Sequence, residues 1–205
     1  MSARDVLNDP RRVGPPESKI PRYIANPEPS TLARDLLQAQ DTLTPEEWLV
    51  VVGQHWAYCD RLTECAAEYA EIFEGLTDSG IRLMMDLAAD AAWLDLPDVV
   101  TLYRGCFEGI NEPGLSWTLS RKVAAGFPFL AWYLMPEHRA LLLSCRVPKS
   151  RVALSYWRGE FEAISPDAYK LARAGKVTRE YLLPPGAGQA LRYECGICVN
   201  GARHA

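Results

Sequence analysis

Apolar residues recur at helical spacing through the first half of the chain. They follow one another every three or four residues over residues 48–73, which predicts one long helix with a stop at Gly75. The same spacing predicts a short helix over residues 31–40 and another over about residues 79–93. The first half of the chain is therefore predicted to be mostly helical.

Residues that favour helix starts, and residues that prevent helices, mark the limits of this half. Thr44 is predicted as the N-cap of the long helix, with Pro45 at the first helical position and Glu47 completing a capping box. Residues 1–30 differ, because they hold six of the fifteen prolines. Proline fixes φ and removes a backbone donor, so this segment is predicted to be an extended arm.

After Pro97 the pattern changes to short apolar stretches that alternate with turn residues. Ser120 is placed to cap a short helix between the second and third of these stretches. Short strands without regularly intervening helices favour an α+β fold over a doubly wound α/β sheet. The predicted strands cover residues 99–105, 115–119, 140–147, 151–156, 160–164, 177–183 and 191–199.

Charged residues are divided unevenly among three predicted parts of the chain. The arm, residues 1–30, carries a net charge of +1. The helical region, residues 31–97, has three basic and thirteen acidic residues, whereas the predicted core, residues 98–205, has fourteen basic and nine acidic residues. The helical region is interpreted as presenting a solvated acidic face, and the positive core suits an anionic ligand.

Composition narrows the class of protein. Hydrophobic residues are 48% and charged residues 23% of the chain, which is typical of a globular domain and excludes wholesale disorder. No apolar run approaches the ~18 residues that a membrane span needs, and the first residues lack the apolar core of a secretory signal. A cytoplasmic protein with cysteine thiols and no membrane partner is therefore expected.

Two cysteines have the spacing of a metal or redox pair. Cys195 and Cys198 are separated by two residues, but a structural zinc site needs four ligands. Cys59 and Cys65 are too far apart in the sequence to form a second pair of this kind. Cys195 and Cys198 are therefore interpreted as lying on opposite faces of a strand, and no metal site is predicted.

Three short segments of the predicted core carry candidate chemistry. The first ends a strand with an arginine, the second places hydroxyl groups at every second residue, and the third places two carboxylates at positions i and i+2. In a strand, residues two apart point to the same face. The segments are LYRG at 102–105, GLSWTLS at 114–120 and RGEFEAI at 158–164.

In this order, the three segments resemble the arginine–serine–glutamate group of ADP-ribosyltransferases, which includes arginine-modifying bacterial toxins and ecto-enzymes. The resemblance spans residues 99–165, and the third segment is similar to the E-x-E motif of arginine-specific mono-ADP-ribosyltransferases. The second segment departs from the pattern, because Trp117 and Leu119 separate hydroxyl residues that are contiguous in many members. The resemblance implies a split, mixed β-sheet core preceded by the helical N-terminal region.

The resemblance also implies how NAD is bound. Arg104 would anchor the dinucleotide, whose pyrophosphate suits the rigid fork of a guanidinium, and the Gly105 backbone would lie against the nicotinamide end. By the same resemblance, Ser116 and Thr118 would also bind NAD. Phe127 either stacks on the nicotinamide or packs in the core, since it follows Val123 at helical spacing.

The catalytic roles follow from the same resemblance. Glu162 would stabilise the positive charge that develops on the nicotinamide ribose, as a carboxylate does in glycoside hydrolysis. Ser116 would hold Glu162 and the ribose, although Ser120 is an alternative for that role. Glu160 would activate the acceptor. Just before this motif, Tyr156 and Trp157 either contact the acceptor or close the core.

The sequence thus predicts a mono-ADP-ribosyltransferase that uses NAD as a substrate, releases nicotinamide and modifies a macromolecule. Arginine side chains of a target protein are the expected acceptor, and nucleic acid is a second possibility. The alternatives are an NAD glycohydrolase, a nucleic-acid ADP-ribosyltransferase, and a binding module that keeps the fold without catalysis. A toxin, a phage effector and a housekeeping regulator are all compatible with this prediction.

Overall fold

Helices fill the first half of the molecule, and strands form most of the second half. The computed structural model describes residues 14–16, 19–21, 24, 28–59, 62–130, 133–157 and 160–184. In this part of the chain five α-helices precede the first strand, and six strands then form one sheet with two further helices. The predicted α+β class is confirmed at this level.

The five helices of the first half are short, and side chains mark where several of them begin. Thr44 accepts a hydrogen bond from the backbone N–H of Glu47, and the Glu47 carboxylate accepts one from the N–H of Thr44, which confirms the predicted capping box. The helices are α1 (Leu32–Gln38), α2 (Pro45–His55), α3 (Leu62–Glu74), α4 (Asp78–Leu83) and α5 (Leu87–Leu94).

Two of the predicted helices are interrupted in the structure. The prediction of one helix through residues 48–73 is wrong, because a 3₁₀ turn at Trp56–Tyr58 follows α2 before α3 begins. The predicted helix over residues 79–93 is likewise two helices, α4 and α5, and the Asp86 side chain caps the second. A Cβ at Gly53 would lie 1.8 Å from the Met84 carbonyl oxygen, so the chain between α4 and α5 packs directly on α2.

The sheet has the strand order β4-β5-β2-β1-β3-β6, and every strand pair among the described residues is antiparallel. The split, mixed sheet that the resemblance implies is therefore not what this part of the chain forms. The predicted strand over residues 191–199 lies outside the described residues. The strands are β1 (Val99–Phe107), β2 (Ser116–Thr118), β3 (Ala140–Pro148), β4 (Ala153–Trp157), β5 (Glu160–Ile164) and β6 (Thr178–Tyr181).

Two helices accompany the strands. Helix α6 (Arg121–Gly126) follows β2 and begins as predicted, since the Ser120 hydroxyl accepts the N–H of Val123. Helix α7 (Pro166–Arg173) follows β5 and was not expected from the sequence. Its start has a local signal, because Ser165 caps the N–H of Ala168 and proline occupies the first helical position.

One hydrophobic core joins the helices to the sheet. The buried cluster runs from the side chains of α1–α5 to those of β1–β5 without a break. Trp93 of α5 shows the contact, since its indole N–H donates to the Val152 carbonyl oxygen at 2.9 Å. Pro15 and Ile24, from the proline-rich first thirty residues, are also buried. The helical region is therefore part of the packing that supports the strands.

Cys59, Cys65, Cys106 and Cys145 are thiols, whereas Cys195 and Cys198 lie outside the described residues. Within the described ranges, no helix combines the length and the apolar character that crossing a membrane requires.

Candidate active site

The three segments singled out in the sequence lie on three neighbouring strands. Strand β2 lies between β1 and β5, so it brings the arginine segment and the glutamate segment together. Tyr103 is opposite Thr118 across β1 and β2, and Thr118 is opposite Glu162 across β2 and β5. The strand order thus places Arg104, Ser116 and Glu162 in one neighbourhood.

Glu162 is the carboxylate with which the other polar residues of this site interact. Burial raises the pKa of its carboxyl group, whereas hydrogen bonds from the side chains of Ser116 and Trp56, and the positive charge of Arg104, act in the opposite direction. The net pKa of Glu162 lies above the ordinary value for glutamate. A partly buried carboxylate surrounded by hydrogen-bond donors and a cation is suited to stabilising positive charge on a ligand.

The geometry distinguishes between the two serines of the second segment. The Ser116 hydroxyl oxygen accepts a hydrogen bond from the Trp56 indole N–H at 3.2 Å, and Ser116 is the serine that bonds to Glu162. Ser120 instead caps α6 through the N–H of Val123 at 3.3 Å. Ser116, not Ser120, is therefore the serine of this site.

Arg104 is held by backbone oxygens at the connection between β1 and β2. Its Nε and Nη2 donate to the Asn111 carbonyl oxygen at 3.1 and 3.0 Å, and its Nη1 donates to the Ser116 carbonyl oxygen at 2.5 Å. Burial lowers the pKa of Arg104, and the charge of Glu162 acts against that change. Three of the five N–H groups of the guanidinium are thus used in hydrogen bonds to the backbone of the same chain.

Gly114 makes room for that arginine. A Cβ at Gly114 would lie 2.4 Å from the guanidinium carbon of Arg104, so any larger residue would displace the side chain. Asn111, whose carbonyl oxygen accepts two of the arginine bonds, has a positive φ of 54°. This left-handed backbone conformation is uncommon outside glycine, although asparagine tolerates it better than most residues.

The β1–β2 connection is also tied to the last described strand. Glu112 accepts the N–H of Gly109 at 2.7 Å and forms an ion pair with Arg179 of β6. Tyr181 of β6 donates its hydroxyl to Glu108 at 2.6 Å. These contacts hold the segment that carries the Asn111 carbonyl, and they thereby support the position of Arg104.

Gly105 faces a helix rather than an open cleft. A Cβ at this position would lie 2.0 Å from the Ala124 carbonyl oxygen and 2.8 Å from Pro128 Cδ. The glycine therefore permits α6 and the 3₁₀ turn after it to pack directly on β1. This packing accounts for glycine at position 105 independently of any ligand.

Thr118 and Phe127 have different surroundings. Thr118 is buried, and its hydroxyl oxygen accepts the N–H of Ser120 at 3.0 Å. Phe127 begins the 3₁₀ turn Phe127–Phe129, is 37% exposed and lies 4.5 Å from the Tyr133 ring, centroid to centroid. The alternative that Phe127 packs in the core is therefore wrong.

The second carboxylate of the E-x-E motif lies at the exposed end of β5. Glu160 is exposed, and its position two residues from Glu162 puts both side chains on one face of the strand. Nearby, Tyr156 is 48% exposed and its ring lies 5.1 Å from that of Phe161. Tyr156 therefore does not close the core, while the Trp157 side chain lies outside the described part of the structure.

Trp56 is the site residue that sequence reasoning missed. Its apolar character and helical spacing identified it only as a core position. A buried tryptophan needs a partner for its indole N–H, which is the one signal in the sequence that could have marked it. The partner, Ser116, lies sixty positions further along the chain and is apparent only from the fold.

The described residues contain no cluster of histidine, cysteine and carboxylate side chains that could hold a metal ion. Comparison of the chain with protein-family models, with curated proteins and with solved structures finds no match.

Proposed function

We propose that this chain is a mono-ADP-ribosyltransferase that transfers ADP-ribose from NAD to a macromolecular acceptor and acts in the cytoplasm. The proposal rests on the environment of the Glu162 side chain. A carboxylate of raised pKa receives hydrogen bonds from Ser116 and Trp56 and is attracted by Arg104, at the meeting point of β1, β2 and β5. The sequence resemblance selects the same three residues, Arg104, Ser116 and Glu162.

The proposed reaction breaks the glycosidic C–N bond of NAD, and nicotinamide leaves with the bonding electron pair. Positive charge then develops on the ribose, and a carboxylate that accepts the 2′-hydroxyl hydrogen stabilises it. Glu162 is the residue for this role, because the side chains of Ser116 and Trp56 donate hydrogen bonds to it and Arg104 attracts it. An acceptor nitrogen or oxygen forms the new bond to the ribose carbon and loses a proton.

Glu160 is the proposed base for that proton. It lies on the same strand as Glu162, two residues away, and its exposure leaves it accessible to a large acceptor. A guanidinium is a poor nucleophile until a carboxylate orients it and partly removes a proton, which makes arginine side chains the proposed acceptor. The exposed rings of Tyr156 and Phe127 are the proposed contacts to acceptor and nicotinamide, respectively.

The test uses NAD that carries a radioactive adenylate phosphate, incubated with the protein and a cell lysate. The wild type should label a discrete protein band and release nicotinamide. Glu162→Gln should lower both signals at least about a hundredfold, the cost typical of removing one group that stabilises a charged transition state. Glu160→Gln should lower labelling more than nicotinamide release, because water remains available as an acceptor.

Glu68→Gln, on an exposed face of α3, is the matched control and should retain full labelling. Labelling that survives Glu162→Gln would remove Glu162 from the mechanism. Nicotinamide release without a labelled macromolecule would identify an NAD glycohydrolase, and a nuclease-sensitive label would identify a nucleic-acid acceptor. If the wild type produces neither signal, while calorimetry shows no NAD binding, the enzyme proposal fails.

A further inference from the structure

We propose that Trp56, a residue of the helical region, is a positioning residue for Glu162: its indole N–H sets the direction of the Ser116 hydroxyl and thereby holds the Glu162 carboxylate. What the carboxylate does once held rests on the proposed function, whereas the positioning itself does not. Trp56 opens the 3₁₀ turn Trp56–Tyr58, which separates α2 from α3.

The direction of the hydrogen bonds follows from which groups can donate. An indole nitrogen only donates, so the oxygen of Ser116 must be the acceptor of the 3.2 Å bond from Trp56 Nε1. The Ser116 hydroxyl hydrogen then points away from Trp56. An ionised carboxylate only accepts, and hydrogen bonding from the Ser116 and Trp56 side chains lowers the pKa of Glu162. The chain of donors therefore ends at Glu162.

The tryptophan is rigidly held. Its residue is fully buried, and its ring lies edge-on to that of Tyr69, with the centroids 5.3 Å apart and the planes at 80°. Phe73 packs on the same ring at 5.8 Å. Tyr69 is itself fixed, because its hydroxyl donates to the Ala33 carbonyl oxygen at 2.8 Å. The helical region thus presents the N–H at a defined position, which a hydrogen-bond donor needs to orient a catalytic group.

The groups around Glu162 predict how its pKa should respond to loss of the indole N–H. Arg104, on β1, supplies the positive charge that attracts the carboxylate. Glu160 shares β5 with it, and the residue opposite on β4 is Ser155, which carries no charge. Burial raises the pKa of Glu162, whereas the bonds from Ser116 and Trp56 lower it. Loss of the indole N–H should therefore raise this pKa further.

The test compares Trp56→Phe with Trp48→Phe. Both changes keep an aromatic ring and remove one indole N–H from the same aromatic cluster, but Trp48 donates to the Leu36 carbonyl oxygen, away from the site. Trp56→Phe should lower kcat about tenfold, the effect of losing one hydrogen bond to a charged group, with little change in the KM for NAD. The acid limb of the rate profile should move to higher pH. Trp48→Phe should leave kcat and the profile unchanged.

A second readout does not depend on activity. The Glu162 carboxyl carbon, labelled with ¹³C and assigned by its loss in Glu162→Gln, can be titrated by NMR in each variant. The pKa of Glu162 should rise in Trp56→Phe and stay constant in Trp48→Phe. An equal pKa in both variants overturns the positioning role, even if the enzyme is active.

Failure of the two proposals can be told apart. A wild type without NAD chemistry, in which Trp56→Phe still raises the pKa of Glu162, contradicts the enzyme proposal alone. If circular dichroism shows that Trp56→Phe does not fold, Ser116→Ala carries the test, because it removes the hydroxyl in the same chain of donors. An unchanged pKa of Glu162 in Ser116→Ala would then overturn the inference.

Discussion

The helical region and the strand region each enclose an arginine and a carboxylate, and their hydrogen bonds are distributed differently. In the helical region Arg82 binds Asp90 directly, with Nε to Oδ1 at 2.7 Å and Nη2 to Oδ2 at 2.8 Å. Asp90 is only 1% exposed, and the Arg82 guanidinium also lies over the Trp93 ring at 5.3 Å. The two charges satisfy each other within the core.

In the strand region, the corresponding groups have separate partners. The hydrogen bonds of Arg104 go to the carbonyl oxygens of Asn111 and Ser116, while those of Glu162 come from the neutral side chains of Ser116 and Trp56. In a buried ion pair the two charges neutralise each other. Charges that are held by neutral groups are not neutralised in this way, so their electric field can act on a ligand. The comparison identifies Arg82 and Asp90 as structural, and Arg104 and Glu162 as suited to chemistry.

The largest effect is expected from breaking the structural pair. Asp90→Ala removes the carboxylate that binds a buried guanidinium, and such a change costs about 3–5 kcal/mol of unfolding free energy. For a chain of this size, the loss corresponds to a fall in Tm of roughly 6–20 °C. Thermal unfolding followed by circular dichroism measures it directly.

The control is Glu68→Ala, which breaks the exposed pair between Glu68 and Arg34. That pair has the same oxygen–nitrogen distances, 2.7 and 2.8 Å, but solvent surrounds it. Its loss should change Tm little, because solvent screens an exposed pair. If the two variants lost the same stability, burial would not be what distinguishes the Arg82–Asp90 pair.

A smaller effect on stability, but a clear one on activity, is expected from Gly114→Ala. The added Cβ would lie 2.4 Å from the Arg104 guanidinium carbon, so the side chain must leave its carbonyl partners. Loss of that arrangement should lower kcat/KM for NAD about tenfold, the equivalent of roughly 1.4 kcal/mol. Gly75→Ala is the control, since its Cβ would meet only the Ile72 carbonyl oxygen, at 3.8 Å. Full activity in Gly114→Ala would show that the position of Arg104 is not needed.

The smallest effect has the opposite sign. Burial raises the pKa of Glu162 above the value that it has in the unfolded chain, so ionisation of this group at neutral pH favours unfolding. Glu162→Gln should therefore raise Tm at pH 7. The gain should shrink as the pH falls through the raised pKa of Glu162 in the folded protein, and it should vanish below the ordinary glutamate pKa of 4.5. Melting curves of the variant and the wild type between pH 4 and pH 8 provide the difference.

Glu160→Gln provides the baseline for this measurement. Glu160 lies on the same strand but is exposed, so its replacement should change Tm little at any pH in that range. A Glu162→Gln protein less stable than the wild type at pH 7 would mean that the donors around the carboxylate outweigh its burial. The contrast with the Arg82–Asp90 pair would then lose its basis.

Sequence reasoning was most accurate where the determinants are local. The predicted strand over residues 160–164 matches β5, and the caps at Thr44 and Ser120 are as expected. Each depends on residues within a few positions, namely the polar–apolar alternation of a strand or a side-chain oxygen next to backbone N–H groups. The helix breaks were missed, because the continued apolar spacing concealed the turns at Trp56–Tyr58 and before Asp86.

The site divides in the same way. The residue types of the three segments and their order along the chain are visible without coordinates, and they nominated Arg104, Ser116 and Glu162. The partners of these residues are not visible, because they come from distant positions. Asn111 binds Arg104 through a backbone carbonyl, which any residue could provide, and Trp56 reaches Ser116 from another element.

The sequence by itself therefore determined the α+β class, the division into helices and strands, and the candidate carboxylates at positions 160 and 162. Tertiary structure alone decided that β2 lies between β1 and β5, that Ser116 rather than Ser120 meets Glu162, and that Trp56 joins them. The physical reason is the distance along the chain over which each effect acts. Backbone propensity and capping act over a few residues, whereas burial, desolvation and hydrogen bonding of a site depend on every segment that packs around it.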